Sequence, residues 1–176
     1  SFFVSRIDSL TDKRLEEAAA ANPSNQAMIL ALRGKTAVAN AKLAYVSFRR
    51  IFGTDEWKRL ATAGAWVQRP LWASTSTKNP SYPDTLYVDT LVGMHCVNTM
   101  PLDTIHATQD HGKITPNTVE SNLEDAREHF GMLALHGISF QTITDQLLDE
   151  AIQKFNEPYD KLLASLGEKM AALTPR

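Results

Sequence analysis

The sequence contains little cysteine, no excess of positive charge and no long apolar run. A single cysteine, Cys96, excludes an internal disulfide framework and suits a reducing cytosol. The formal net charge of −2 gives no basic field for nucleic acid. No apolar stretch approaches the ~20 residues of a membrane span, and the N-terminus lacks the pattern of a secretion signal. These features predict a cytoplasmic protein that binds neither nucleic acid nor a membrane.

The composition is typical of a globular protein, but the length limits the fold. Hydrophobic residues make up 43% of the 176 residues and charged residues 22%. This length fits one ordinary domain and falls short of the about 250 residues that a (β/α)₈ barrel usually needs. The chain starts at Ser1 inside an apolar run. We therefore interpret it as a piece of a longer protein.

Short apolar segments alternate along the chain with longer segments of helical pattern. Strands are predicted at 1–6, 70–73 and 95–100, and helices at 8–21, 36–52, 55–64, 85–92, 102–110, 118–136 and 139–173. Pro158 predicts a break or a kink in the last helix. Alternation of this kind favours an α/β fold with parallel strands joined by helical crossovers.

Each predicted strand changes from apolar to polar at its C-terminal end, which is where ligands bind in parallel α/β folds. Ser5 and Arg6 end the first strand, the segment 74–78 follows the second, and Asn98 and Thr99 end the third. Hydroxyls and two cations at one edge suit a sugar phosphate, because they offer hydrogen bonds to its hydroxyls and positive charge to its anion.

Several segments resemble the transaldolases, in particular a long-chain bacterial branch that is sometimes fused to a glucose-6-phosphate isomerase domain. The matching segments are 1–6, 67–80, 82–89 and 97–101. The resemblance implies that residues 1–176 are the C-terminal half of a (β/α)₈ TIM barrel. The predicted strands would be strands six, seven and eight, so this half would be incomplete by itself.

The resemblance also implies a reaction. Transaldolases of the pentose phosphate pathway move a dihydroxyacetone unit from sedoheptulose 7-phosphate to glyceraldehyde 3-phosphate through a lysine Schiff base. Their reactive lysine and their acid–base carboxylates lie on strands four, one and three, so no catalytic residue is expected within this chain. Neither a metal nor an organic cofactor is implied. The expected partners are phosphorylated sugars and the missing N-terminal half, and a homo-oligomer is a further possibility.

Six residues match substrate-binding positions of the family: Ser1, Phe3, Arg6, Ser74, Ser76 and Lys78. Ser1 matches a serine that hydrogen-bonds the substrate, and Phe3 matches an aromatic residue of the pocket wall. Arg6 matches an arginine that grips the substrate phosphate. Shorter members carry Ser-Phe-Arg where this chain has Ser-Thr-Ser-Thr-Lys, so the second phosphate contact is either Lys78 or a neighbouring serine.

Plainer interpretations of these residues stay open. Arg6 could form a surface salt bridge, and Ser74 and Ser76 could be turn-forming caps. Asn98 could either face the ligand or pair with its own backbone. Lys78 in a polar loop is not expected to form the Schiff base, which needs a desolvated amine. The five histidines contain no pair at i, i+4 spacing, so a metal site is not expected.

Two other functions stay open as well. The protein could be a related class I aldolase that cleaves or forms a sugar phosphate. It could also be a non-catalytic fragment or half-barrel that needs a partner chain, because three strands cut from a barrel leave two open edges. The last helix carries an apolar stripe that is expected to cover an apolar surface: Leu162, Leu163, Leu166, Met170 and Leu173.

Overall fold

The computed structural model describes residues 2–173, so Ser1, a predicted substrate contact, lies outside the described residues. The strands are β1 (Phe2–Phe3), β2 (Leu71–Ala73) and β3 (Val97–Asn98). The helices are α1 (Val4–Ala21), α2 (Gln26–Leu30), α3 (Thr36–Phe52), α4 (Asp55–Thr62), α5 (Leu86–Asp89), α6 (Leu102–His111), α7 (Leu123–Leu135) and α8 (Phe140–Leu173). Single 3₁₀ turns occupy Pro23–Asn25 and Thr118–Glu120.

The strands form one parallel sheet in the order β1-β2-β3, which confirms the predicted α/β class. Phe2 pairs with Trp72, and Trp72 pairs with Asn98. Side chains alternate between the two faces of a strand, so these three residues share one face of the sheet. Trp72 on that face is fully buried, whereas Phe3 on the opposite face is exposed. The helices therefore cover one face of the sheet.

The predicted boundary at the N-terminus is wrong. The strand ends at Phe3 rather than at residue 6, and α1 begins at Val4 rather than at residue 8. The buried positions of α1 recur every three or four residues, which is helical spacing. Packing of this face outweighs the strand preference of the β-branched residue Val4. Arg6 consequently lies in the first turn of a helix.

The third strand is also shorter than predicted, because residues 93–96 form a turn before it. His95 has a φ of 62°, in the left-handed region, and the Cys96 amide donates a hydrogen bond to the Gly93 carbonyl at 3.3 Å. Only Val97 and Asn98 remain in the sheet. The predicted strand 95–100 is thereby reduced to its centre.

The helical layer is built on α3, which packs against α1 and α7. Its buried side chains are Thr36, Ala37, Ala39, Ala41, Lys42, Tyr45 and Phe48. The alanines allow neighbouring helices to approach closely, and the aromatic residues fill the space beyond them. In α7 the side chains of Ala126 and Leu133 are buried, whereas Ala134 is exposed.

The last helix continues through Pro158, so the predicted break does not occur, and the alternative of a kink stays a prediction. Proline removes one main-chain donor and leaves the Lys154 carbonyl without its helical partner, while the turns on both sides keep helical geometry. The apolar stripe that was expected to cover a surface is itself exposed by 47% to 83%.

The chain divides into two compact units, Ser1–Phe140 and Gln141–Arg176. The first unit holds the sheet and the other helices, and the second consists of nearly all of α8 in its described part. None of the described helices combines the length and the apolar character needed to cross a membrane.

Candidate functional site

The carboxyl ends of β1 and β2 are joined by two serines. The Ser5 amide donates a hydrogen bond to the Ser74 carbonyl at 3.1 Å, and the two hydroxyl oxygens lie 2.9 Å apart. Ser5 is buried. Ser74 has a φ of 56°, an uncommon conformation for a residue with a side chain. The pair of contacts with Ser5 holds the chain in this tight turn as it leaves β2.

A second set of hydrogen bonds joins the ends of β2 and β3. The buried Thr75 hydroxyl lies 2.8 Å from Asn98 Oδ1 and 3.2 Å from the Thr99 carbonyl, and it donates to these acceptors. The Thr99 amide donates to the Trp72 carbonyl at 2.9 Å. The Asn98 side chain thus pairs with a neighbouring segment rather than with its own backbone. The polar residues predicted at the three strand ends do lie at one edge of the sheet.

Arg6 lies at this edge over an aromatic ring. Its guanidinium carbon is 4.9 Å from the centroid of the Phe3 ring, which is a cation–π contact. Among residues 2–173, no carboxylate forms a salt bridge with Arg6, in contrast to the plainer interpretation of this residue. The ring orients the cation without neutralising it. The planar group therefore keeps its N–H donors for an anion.

Lys78 and Ser76 form a second pair in the loop after β2. The Lys78 ammonium donates a hydrogen bond to Ser76 Oγ at 2.7 Å, and the Lys78 side chain is exposed. This contact orders a lysine that would otherwise sample many rotamers. A hydroxyl and an ammonium held side by side can bind neighbouring oxygens of one anion.

The structure thus groups the predicted site residues in pairs: Arg6 with Phe3, Ser76 with Lys78, and Ser74 with Ser5. Ser5, Thr75 and Asn98 are the contacts that the resemblance did not mark. Their signal in the sequence is the same change from apolar to polar at the end of each strand.

The described residues include no cluster of three or more histidine, cysteine or acidic side chains arranged to hold a metal ion. A separate cavity of about 470 Å³ lies between α3, α5 and α7, and no residue of the strand ends lines it. His129 lines this cavity, and its Nε2 atom lies 2.8 Å from the Thr36 hydroxyl oxygen. Burial lowers the pKa of His129 to about 4. Burial also lowers the pKa of Lys42, whose ammonium donates to the Ser121 carbonyl at 2.7 Å.

Comparison with known proteins confirms the resemblance found in the sequence. The profile of the family described as transaldolase/fructose-6-phosphate aldolase matches residues 1–166. The transaldolase of Thermobifida fusca is 45% identical over 174 residues, which are 99% of this chain and 46% of that protein. The transaldolase of Mycolicibacterium smegmatis is 48% identical over 173 residues, which are 98% of this chain and 45% of that protein.

A third relative, the transaldolase of Trichodesmium erythraeum, is 45% identical over 181 residues, covering 99% of this chain and 47% of that protein. The chain thus spans slightly less than half the length of these relatives. Its family match extends over the strand ends and the helical layer that supports them. This chain belongs to the transaldolase/fructose-6-phosphate aldolase family.

Proposed function

We propose that this chain supplies the phosphate-binding side of a transaldolase. The reaction would transfer a dihydroxyacetone unit from sedoheptulose 7-phosphate to glyceraldehyde 3-phosphate through a Schiff base on a lysine outside residues 1–176. The observation that carries the proposal is the position of the Arg6 guanidinium, which lies over the Phe3 ring at the carboxyl edge of the sheet. Such a group recognises a phosphate by parallel N–H···O bonds.

In this proposal β1, β2 and β3 are strands six, seven and eight of a (β/α)₈ barrel, and residues 1–176 are its C-terminal half. The strands are parallel and consecutive in the sheet, as barrel strands are. β1 and β3 each have one edge with no described strand beside it. The preceding half of the protein, or another chain, would pair with these edges.

Two cations, Arg6 and Lys78, would contact the phosphate. Arg6 offers a planar fork of donors, whereas Lys78 offers a point charge next to the Ser76 hydroxyl. Because Lys78 and Ser76 are already hydrogen-bonded to each other, we propose that they bind the anion together. Ser1 and Phe3 would contact the sugar, and Ser74 would fix the turn that presents the loop.

The lysine amine would act as the electron sink, so neither a metal nor an organic cofactor is part of the reaction. The free thiol of Cys96 fits a reducing cytoplasm. A homo-oligomer would be a further way to cover an exposed sheet edge.

The experiment is an Arg6→Ala substitution in the complete protein that carries this chain. We expect KM for fructose 6-phosphate to rise about 100-fold, because hydrogen bonds to a charged group are lost, while KM for fructose changes little. Arg14→Ala on the same helix removes an equal charge from an exposed pair with Glu17 and serves as the control. Equal effects of Arg6→Ala on both sugars would remove Arg6 from the phosphate site.

A class I aldolase is the second candidate, because the name of the matching family includes fructose-6-phosphate aldolase. Both reactions begin with the same imine, and the two differ in whether an acceptor aldehyde takes up the dihydroxyacetone unit. Measuring the release of dihydroxyacetone from fructose 6-phosphate without an acceptor separates them. Release as fast as transfer would favour the aldolase.

A further inference from the structure

Helix α1 is attached to the segment after β2 at three points on one face. Ser5 contacts Ser74, Asp8 contacts Tyr87, and Asp12 contacts Tyr82. The three α1 residues are spaced i, i+3 and i+7, so they lie in line along the helix. The same helix carries Arg6, and the attached segment includes the loop with Ser76 and Lys78.

Asp8 is almost completely buried, with 2% of its surface exposed. One carboxylate oxygen accepts a hydrogen bond from the Ala37 amide at 2.8 Å, and the other accepts one from the Tyr87 hydroxyl at 2.7 Å. Helix α3 has no side-chain cap of its own at its N-terminus, so Asp8 satisfies one of its free N–H groups from another helix. Asp8 thereby joins α1, α3 and α5.

Asp12 repeats the arrangement one helical turn later. It accepts hydrogen bonds from the Gly34 amide at 3.0 Å and from the Tyr82 hydroxyl at 2.6 Å. Gly34 has a φ of 69°, and a Cβ there would lie 2.8 Å from the Tyr82 ring. The turn before α3 is therefore shaped so that the tyrosine can reach the carboxylate.

Burial of the two carboxylates costs folding free energy. Burial raises the pKa of Asp8 to about 6, which reflects the cost of desolvating the charge. Burial likewise raises the pKa of Asp12. Perturbed pKa values cluster at functional sites, so two buried carboxylates attached to the segment that follows a candidate binding loop are candidates for a role in that site.

We infer that Asp8 and Asp12 are positioning residues, which hold the loop of Ser76 and Lys78 against the Arg6 end of α1 through Tyr87 and Tyr82. The inference rests on the proposed function, since it assigns the two carboxylates to the phosphate site. Ser74 and Tyr82 fix the chain on either side of residues 75–81. Without the hydrogen bonds from the Tyr82 and Tyr87 hydroxyls, the loop would be free to move. The residues that form the anion site would themselves be unchanged.

The test removes only the two phenolic hydroxyls, with the double substitution Tyr82→Phe and Tyr87→Phe in the complete protein that carries this chain. We expect KM for fructose 6-phosphate to rise about tenfold, because small displacements of positioning groups have large effects on substrate affinity. KM for fructose should change less than twofold. The matched control is Tyr45→Phe, which removes the bond from the buried Tyr45 hydroxyl to the Met94 carbonyl at 3.1 Å, because Met94 precedes β3 and the candidate site lies at the carboxyl ends of the strands.

A purely structural role would lower the melting temperature of the double variant and of Tyr45→Phe without a selective change in KM. That result, measured on folded protein well below the melting temperature, would overturn the inference. If the double variant does not fold, Tyr82→Phe alone decides by the same criterion, because Tyr82 is only half-buried. Arg6→Ala is measured in parallel. If Arg6→Ala is selective for the phosphorylated sugar and the tyrosine variants are not, only the positioning role fails; if Arg6→Ala is not selective, the phosphate site itself fails.

Discussion

The Asp8→Asn substitution should change how the stability of the fold depends on pH. Burial raises the pKa of Asp8 from 3.8 to about 6, so the folded chain binds this proton more tightly than the unfolded chain does. The contribution of Asp8 to folding stability therefore increases as the pH falls from above its pKa in the folded chain toward its pKa in the unfolded chain. Between about pH 7.5 and about pH 4.5, the native chain should gain about 2 kcal/mol relative to the asparagine variant.

His129 should change the pH dependence of folding stability in the opposite direction. Burial lowers its pKa from 6.5 to about 4, so the unfolded chain binds this proton more tightly than the folded chain does. Stability from His129 is present above the unfolded pKa and is lost as the pH falls toward the folded value. Over the same pH range the loss is about 2.5 kcal/mol, close in size to the gain from Asp8.

The assay is urea unfolding of the complete protein that carries this chain across this pH range, followed by tryptophan fluorescence. The difference between native chain and Asp8→Asn isolates the aspartate, and the difference from His129→Gln isolates the histidine. Asp103→Asn, an exposed carboxylate on α6, corrects for the loss of one charge. A difference curve for Asp8→Asn that is flat, or that slopes the other way, would refute the assignment of a desolvated carboxylate.

Two further substitutions test the packing. Leu133→Ala should destabilise the chain by about 2–5 kcal/mol in thermal unfolding, since this side chain is fully buried, whereas Leu135→Ala, 71% exposed, should change it by less than about 0.5 kcal/mol. Equal effects would contradict the placement of α7. Gly34→Ala should lower the free energy of unfolding by about 1–3 kcal/mol more than Gly64→Ala does. Both glycines have a positive φ, but only a Cβ at Gly34 would meet the ring of Tyr82. Comparable unfolding midpoints for the two would argue against this close approach.

Elements with strong local signals could be predicted from the sequence. Helix α3 was expected at 36–52 and is observed at Thr36–Phe52, because its apolar spacing and the following Gly53 are both local. Helix α4 begins where Thr54 suggests a cap, and the Thr54 hydroxyl accepts a hydrogen bond from the Trp57 amide at 3.1 Å. In both cases the residues that decide the boundary lie within one turn of it.

Elements decided by distant packing could not be predicted in the same way. Residues 1–6 have the aromatic and β-branched centre that is typical of a strand, but the helical face that starts at Val4 is buried against other parts of the fold. The sequence does not predict helix α2, because Gln26–Leu30 has little periodicity and Ile29 is its single buried residue. Pro158 is tolerated within α8, although a local rule favours a break there.

The candidate site shows the same division. The polar strand ends could be found from composition and position, whereas the phosphate-binding roles expected for Arg6 and for Lys78 or a neighbouring serine come from the family resemblance and stay predictions. The contacts of Asp8 could not be found, because Ala37 and Tyr87 are 29 and 79 residues away along the chain. Two acids one turn apart in a helix usually mark a solvated face. Only the fold shows that this pair is buried.

The central claim is that this chain binds the sugar phosphate while a lysine elsewhere forms the imine. The most direct measurement is to incubate the complete protein that carries this chain with fructose 6-phosphate, reduce it with borohydride, and locate the modified lysine by peptide mass. Reduction converts the imine into a stable secondary amine on the reactive residue. We expect one modified lysine, and we expect it outside residues 1–176. Modification of Lys78 or of another lysine within this chain, or no modification at all, would contradict it.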